Sequence, residues 1–171
     1  MQTAVWSFTI RLALNLDPNI NERSASNYMV AAFIAFFLGK VIANVLMTKF
    51  DENLVLIGYS VAGFFALLGV IFIPSIVAVY FAVLTSGLFG PCWATIYARS
   101  LDAIEDKRHT ETGGAVIVMS IVGGAVIPVI QGFVSDQLGS MQTAFVVSLV
   151  CFTVVLAYFV GQHRLASAHA A

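Results

Sequence analysis

The sequence is 171 residues long, 60% hydrophobic and only 10% charged, with a mean hydropathy of +0.94. Globular domains carry about one quarter charged residues, so an ordinary soluble fold is excluded, and high hydrophobicity with low net charge excludes disorder. A net charge of −1, with eight Lys and Arg scattered along the chain, leaves no basic patch for nucleic acid.

An integral membrane protein is the class that remains, and the spacing of charges marks its spans. Met1 to Leu16 is apolar except for Gln2 and Arg11, and Asp17-Pro18-Asn19 predicts a turn after it. Those 16 residues rise about 24 Å as a helix, short of a hydrocarbon core of about 30 Å. The segment lacks the basic start and small-residue cleavage site of a signal peptide. It is expected to be the second part of a helix, with the reading frame continuing upstream of Met1. Ser24 to Lys49 predicts a helix over about 26–49, interrupted by Lys40 and Asn44.

From Asn53 to Ala98 there are 46 residues without a formal charge, enough for two spans. Pro74-Ser75 divides them, because Pro donates no backbone hydrogen bond, into helices over about 54–73 and 75–99. A hydrophilic loop over 100–111, expected to carry a surface helix, follows. Uncharged runs of 24 residues (Thr112–Ser135) and 26 residues (Gln137–Gln162) predict helices over about 112–135 and 141–162, with Leu138-Gly139 as a tight turn. The expected fold is therefore an all-α integral membrane protein, one domain over 1–171 with a partial helix at 1–16 and five full spans.

Lys40, Lys49, Arg99, Lys107, Arg108 and Arg164 fall on one side of the membrane, Arg11 and Arg23 on the other. The positive-inside bias places the first group, and with it the C-terminus, in the cytoplasm of a cell (plasma or inner) membrane.

Helices in lipid associate through close backbone approach and interhelical hydrogen bonds. Gly58, Ala62 and Ala66 make one smooth stripe, and Ser120 and Gly124 another, followed by Pro128 and Gly132. Gly123, Gly124 and Pro128 together either serve ordinary packing or let their helix bend as a gate. Lys40 is a charge at membrane depth, with Asn44 four residues later on the same face. A structural ion pair with Asp51, Glu52 or a carboxylate of the 102–111 loop is the favoured role; snorkelling to the headgroups and direct transport chemistry are the others.

Trp6, Asn27, Tyr28, Trp93, Thr95, Tyr97 and Gln131 are neutral groups able to meet a hydroxylated ligand, although Trp and Tyr also gather at membrane interfaces without one. No carboxylate falls inside a full span, so no proton carrier is evident, and Asp136 reads as a turn or cap at a helix end. Enzyme motifs (a phosphate-binding Gly-rich loop, HExxH, GxSxG) are absent. His109, Glu111 and His163 match no metal-ligand spacing, and Cys92 and Cys151 lie in apolar runs, so neither a metal, a disulfide nor a cofactor is expected.

Several segments, taken in order, resemble the fucose–proton symporter branch of the major facilitator superfamily. Gln2-Thr3-Ala4-Val5-Trp6-Ser7-Phe8-Thr9-Ile10-Arg11 resembles its seventh helix, and Ser26-Asn27-Tyr28 with Phe36-Phe37-Leu38-Gly39-Lys40 its eighth, where that branch carries Gly-Arg in the last two places. Thr95-Ile96-Tyr97 resembles its Pro-Thr-Ile-Phe segment, with Ala94 in place of Pro and Pro91 three residues earlier, so the bend of this helix is expected elsewhere. Val118-Met119-Ser120-Ile121-Val122-Gly123-Gly124 and Gly132-Phe133-Val134-Ser135-Asp136 resemble its eleventh helix.

The resemblance implies the C-terminal half of a twelve-helix sugar transporter, helices seven to twelve, moving a fucose- or hexose-type sugar with a proton by alternating access. It implies that the proton-carrying carboxylates lie in a first half outside this chain. Resemblance and polarity together make Gln2, Trp6, Asn27 and Tyr28 the candidate substrate-binding residues, and Lys40, Asn44, Gly123, Gly124 and Pro128 the structural or gating ones. Expected partners are the sugar, the proton, the bilayer, and either the missing half or a second copy. A small multi-pass scaffold or an inactive truncated remnant is the alternative.

Overall fold

The structure, a computed structural model, describes residues 2–102, 104 and 110–169. Its elements in chain order are α1 (Gln2–Leu16), α2 (Glu22–Met47), α3 (Glu52–Phe72), α4 (Val77–Asp102), α5 (Thr110–Met119), α6 (Gly123–Leu138) and α7 (Phe145–His169). A single 3-10 turn at Ser120–Val122 joins α5 to α6, so the two act as one broken span. Among the described residues, five stretches are long and apolar enough to cross a membrane: Glu22–Met47, Glu52–Phe72, Val77–Asp102, Thr110–Leu138 and Phe145–Leu165. At 15 residues, α1 rises about 22 Å and is not among them.

Several helices outrun, at a charged end, the uncharged segments that mark them, although α7 begins four residues after its expected start. In the interfacial region water satisfies frayed backbone groups, so a charge ends the apolar run without ending the helix. α4 continues to Asp102, and α7 starts at Phe145 and passes Gln162. The surface helix expected in the 100–111 loop falls on 103 and 105–109, outside the described residues. Caps explain the starts. The Asn21 side chain accepts from the Ser24 N–H (2.8 Å), and Asp51 accepts from Asn53 and Leu54 (2.8 and 3.1 Å), each satisfying orphan donors of a first turn. Gly139, at φ +62°, ends α6 in a left-handed conformation that a side chain resists.

The end of α3 shows how a proline is accommodated in lipid. Pro74 lacks the N–H that the Val70 carbonyl would accept in a continuing helix. The Gln142 amide, arriving just before α7, donates instead to the Val70 carbonyl (2.9 Å) and to that of Ile73 (2.6 Å). Gln142→Leu should orphan the Val70 oxygen, while that of Ile73 still accepts from the Ser75 N–H (2.9 Å), and cost about 2 kcal/mol, read as a melting point lower by roughly 4–8 °C for a chain of this size. An unchanged melting point would show that the amide is not needed there.

The core lies among α1, α3, α4 and α7. Phe145, Phe152 and Phe159, seven residues apart along α7, are fully buried. The Phe152 ring lies 4.4 Å from Phe89, edge to face, and fills the space left by Gly63 on α3. α2 packs on α4 through Ala25, Ala32, Gly39 and Ala43. A Cβ at Gly39 would collide with the Gly87 carbonyl, and one at Gly90 would lie 2.8 Å from the Phe36 carbonyl, so the two backbones touch at this crossing. Pro91 sits inside α4, which continues through it, and the Gly87 oxygen it cannot bond is the one lying against Gly39.

The stripe read from Gly58, Ala62 and Ala66 needs correcting. Gly58 and Ala62 are exposed, and a Cβ at Gly58 would meet nothing within 4 Å; of the three only Ala66 is buried. Small residues are equally at home facing lipid, so their spacing alone does not locate a contact.

Candidate functional site

A cavity of about 430 Å³ opens between α1, α4, the α5–α6 break and α7. Gln2 reaches it from α1, Cys92 and Trp93 from α4, and Gly123 and Gly124 from the start of α6, with Cys151 behind them on α7. The break makes this space. The 3-10 turn displaces the helix at Ser120–Val122, two glycines follow it without side chains to fill the gap, and Pro128 leaves the Gly124 carbonyl without its helical donor. A Cβ at Gly124 would sit 3.1 Å from the Thr3 hydroxyl, whereas one at Gly123 would meet nothing within 4 Å.

Of the candidate binding residues, the structure brings Gln2 to the cavity and Trp6 one turn beyond it on the same face of α1. The Trp6 ring packs edge-on against Phe33 (4.6 Å) and Phe36 (5.5 Å) of α2. The Gln2 amide nitrogen and the Trp6 indole nitrogen are both buried with no hydrogen-bond partner. Asn27 and Tyr28 do not line this cavity. Asn27 is exposed near the start of α2, and Tyr28 packs edge-on to Tyr80 at 5.7 Å. Gln131 is fully buried, with its carbonyl oxygen accepting from Ser148 (3.1 Å) across α6 and α7, which makes it a link between helices.

Among the described residues the expected ion pair of Lys40 is not formed, and Glu105 and Asp106 of the loop lie outside them. Glu52 pairs instead with Arg99 at 3.3 Å, joining the start of α3 to the end of α4, and Asp51 is occupied in capping α3. The Lys40 ammonium lies 4.3 Å above the Phe36 ring, held by the negative face of the aromatic. Phe36 is one turn back toward the start of α2, so the side chain turns away from the nearer helix end at Met47 and does not snorkel. Asn44 is exposed.

Thr3, Cys92 and Cys151 are cavity residues that the sequence did not single out. Cys92 and Cys151 lie far apart in sequence on different helices, both free, and only packing brings them to one space. Among the described residues no group of three His, Cys, Asp or Glu is placed to hold a metal ion.

Membrane-length helices bundled around a cavity, with one helix broken where it meets that cavity, define a multi-pass membrane protein of transporter type. The Major Facilitator Superfamily profile matches residues 1–170, and the chain belongs to that family. It is 31% identical over 163 residues to the L-fucose-proton symporter of Haemophilus influenzae, covering 92% of this chain and 37% of the relative. To the L-fucose-proton symporter of Escherichia coli it is 29% identical over 157 residues, covering 92% and 35%. A putative glucose/galactose transporter of Helicobacter pylori is 30% identical over 160 residues, covering 91% and 38%. The crystal structure of the E. coli fucose:proton symporter FucP superposes with a TM-score of 0.85 at 30% identity, covering 92% of this chain and 38% of that one. The chain thus spans a little over one third of the length of the relatives it matches.

Proposed function

We propose that this chain is the C-terminal six-helix half of a sugar:proton symporter of the fucose or hexose type, working by alternating access. The likeness to the E. coli fucose:proton symporter, over 92% of the chain with a TM-score of 0.85, carries this reading. In it, the chain supplies one wall of the transport path. The two donors of α1 on that wall are the Gln2 amide and the Trp6 indole, and Asn27 and Tyr28 belong to the same wall nearer the opposite mouth. The break at Gly123–Gly124 is the gating element. The excess of Lys and Arg around the α2–α3 turn, the 103–109 segment and the C-terminus supports placing these in the cytoplasm of a cell membrane.

The test joins the chain to the first half of a related permease and measures proton-driven uptake of fucose and of hexoses in membrane vesicles. Uptake above that of the first half alone is the expected result. Trp6→Ala and Asn27→Ala should each lower uptake per folded molecule by about tenfold, the loss of one or two hydrogen bonds to substrate. If uptake falls only as far as the amount of folded protein does, Trp6 and Asn27 are packing residues. No uptake from any fusion would leave a scaffold or a remnant.

A further inference from the structure

A groove of about 280 Å³ runs between the end of α2 and the start of α3, sharing no lining residue with the larger cavity. Leu46, Phe50, Leu54 and Val55 give it apolar walls, and Gly58 leaves it open where a Cβ would meet nothing within 4 Å. Tyr59 lies farthest from the turn, its hydroxyl donating to the Gly39 carbonyl (3.3 Å) and tying this end across both helices. From Asp51 to Tyr59 the groove follows α3 for about 12 Å. Phe50 and Leu54 are more than half exposed. In a chain that spans a membrane, hydrocarbon fills such a slot.

The turn end of the groove is charged. Asp51 lines it; one carboxylate oxygen accepts from the Asn53 and Leu54 N–H groups, and among the described residues the other has no hydrogen-bond partner. Lys49 stands exposed in the turn, between Leu46 and Phe50 in the chain, and among the described residues it has no ion pair. Glu52, the neighbouring carboxylate, is taken by Arg99 at 3.3 Å. The unpaired charges here are therefore one cation and one anion, beside an apolar slot.

We propose that this groove seats an acyl chain of a phospholipid whose headgroup carries a primary ammonium, of the phosphatidylethanolamine class. The inference is independent of the sugar-transport reading. Charge complementarity selects the headgroup. The Lys49 ammonium donates to the lipid phosphate, and the lipid ammonium donates to the free oxygen of Asp51, both as charge-assisted bonds. A choline headgroup has the same charges but no N–H to donate. A glycerol headgroup has no cation and sets its phosphate against the Asp51 carboxylate. Each exposed charge contact is weak alone, so the headgroup discriminates while the slot supplies the apolar contact.

The 171-residue chain, delipidated in detergent, is titrated with dioleoyl phosphatidylethanolamine, phosphatidylcholine and phosphatidylglycerol, and the first lipid bound is measured by native mass spectrometry. Phosphatidylethanolamine should bind about fivefold tighter than either of the others, the effect of an exposed charge contact at its strongest. Asp51→Asn keeps an N-cap for α3 and removes the charge, so it should abolish that preference. Gly58→Leu fills the groove and should weaken the first site for all three lipids. The comparison among lipids leaves the protein untouched, so the result stands even if a variant does not fold. Equal binding of the three lipids overturns the proposal, as does tightest binding of phosphatidylglycerol. A preference that survives Asp51→Asn overturns the role of the carboxylate, and one that survives Gly58→Leu places the lipid elsewhere.

Discussion

Gly39→Leu is expected to prevent stable folding, with a loss of roughly 3 kcal/mol or more and little protein surviving extraction from the membrane. At this position even one added carbon collides with the Gly87 carbonyl, and the obstacle is backbone, which cannot rotate aside as a side chain can. α2 and α4 would have to separate along their length, losing the contact at Gly90 as well, where the Phe36 carbonyl lies 2.8 Å from a would-be Cβ. In lipid no hydrophobic force reseats them, since the association depends on close van der Waals contact. Gly58→Leu is the matched control. It adds the same side chain at a site with nothing within 4 Å and should change stability by no more than about 1 kcal/mol, in the favourable direction if helix propensity decides. Thermal unfolding in detergent with a fluorescent reporter checks both. Equal melting points for the two variants would show that the α2–α4 crossing is looser than the glycines indicate.

Gly123→Leu should do the reverse, keeping the fold and losing transport. A side chain there meets no neighbour, so the helix gains propensity, worth up to about 1 kcal/mol, without a clash. The same side chain enters the cavity of about 430 Å³ beside Gln2 and Trp93 and stiffens the start of α6 just after the 3-10 turn. In the joined transporter, uptake per folded molecule should fall at least tenfold while the melting point stays within about 3 °C of the parent. Gly123→Ala, which stiffens without filling, separates the two effects. If it lowers uptake as much as leucine does, bending dominates; if it is silent, occupancy of the cavity dominates. Unchanged uptake in both variants would make the break ordinary packing.

The number and order of the membrane spans were legible in the sequence because a charge within the hydrocarbon is costly and uncharged runs of 20 or more residues mark where the chain can cross. Asp17-Pro18-Asn19 and Pro74-Ser75 were legible as breaks for the equally local reason that proline withholds a donor and restricts the backbone. The isolation of Gln2 and Trp6 as polar groups on an apolar helix was visible too, and with it part of the candidate site. What the sequence left open is which side of each helix meets protein. In water an apolar stripe identifies the buried face, but in lipid the outward face is apolar as well. Gly58, Ala62 and Ala66 therefore looked like a contact stripe, while the working contacts are Gly39 of α2 against Gly87 of α4, and Phe36 and Lys40 of α2 against Gly90. The role of Lys40 was decided in the same way. Its depth followed from its position and its neighbour, the Phe36 ring one turn back on α2, lies within the local i, i+4 reach; what tertiary structure decided is that Glu52 is taken by Arg99. The cavity is likewise a product of tertiary structure alone, since residues from four helices, including Gln2 and Cys151 at opposite ends of the chain, border one space only after the helices have chosen their partners.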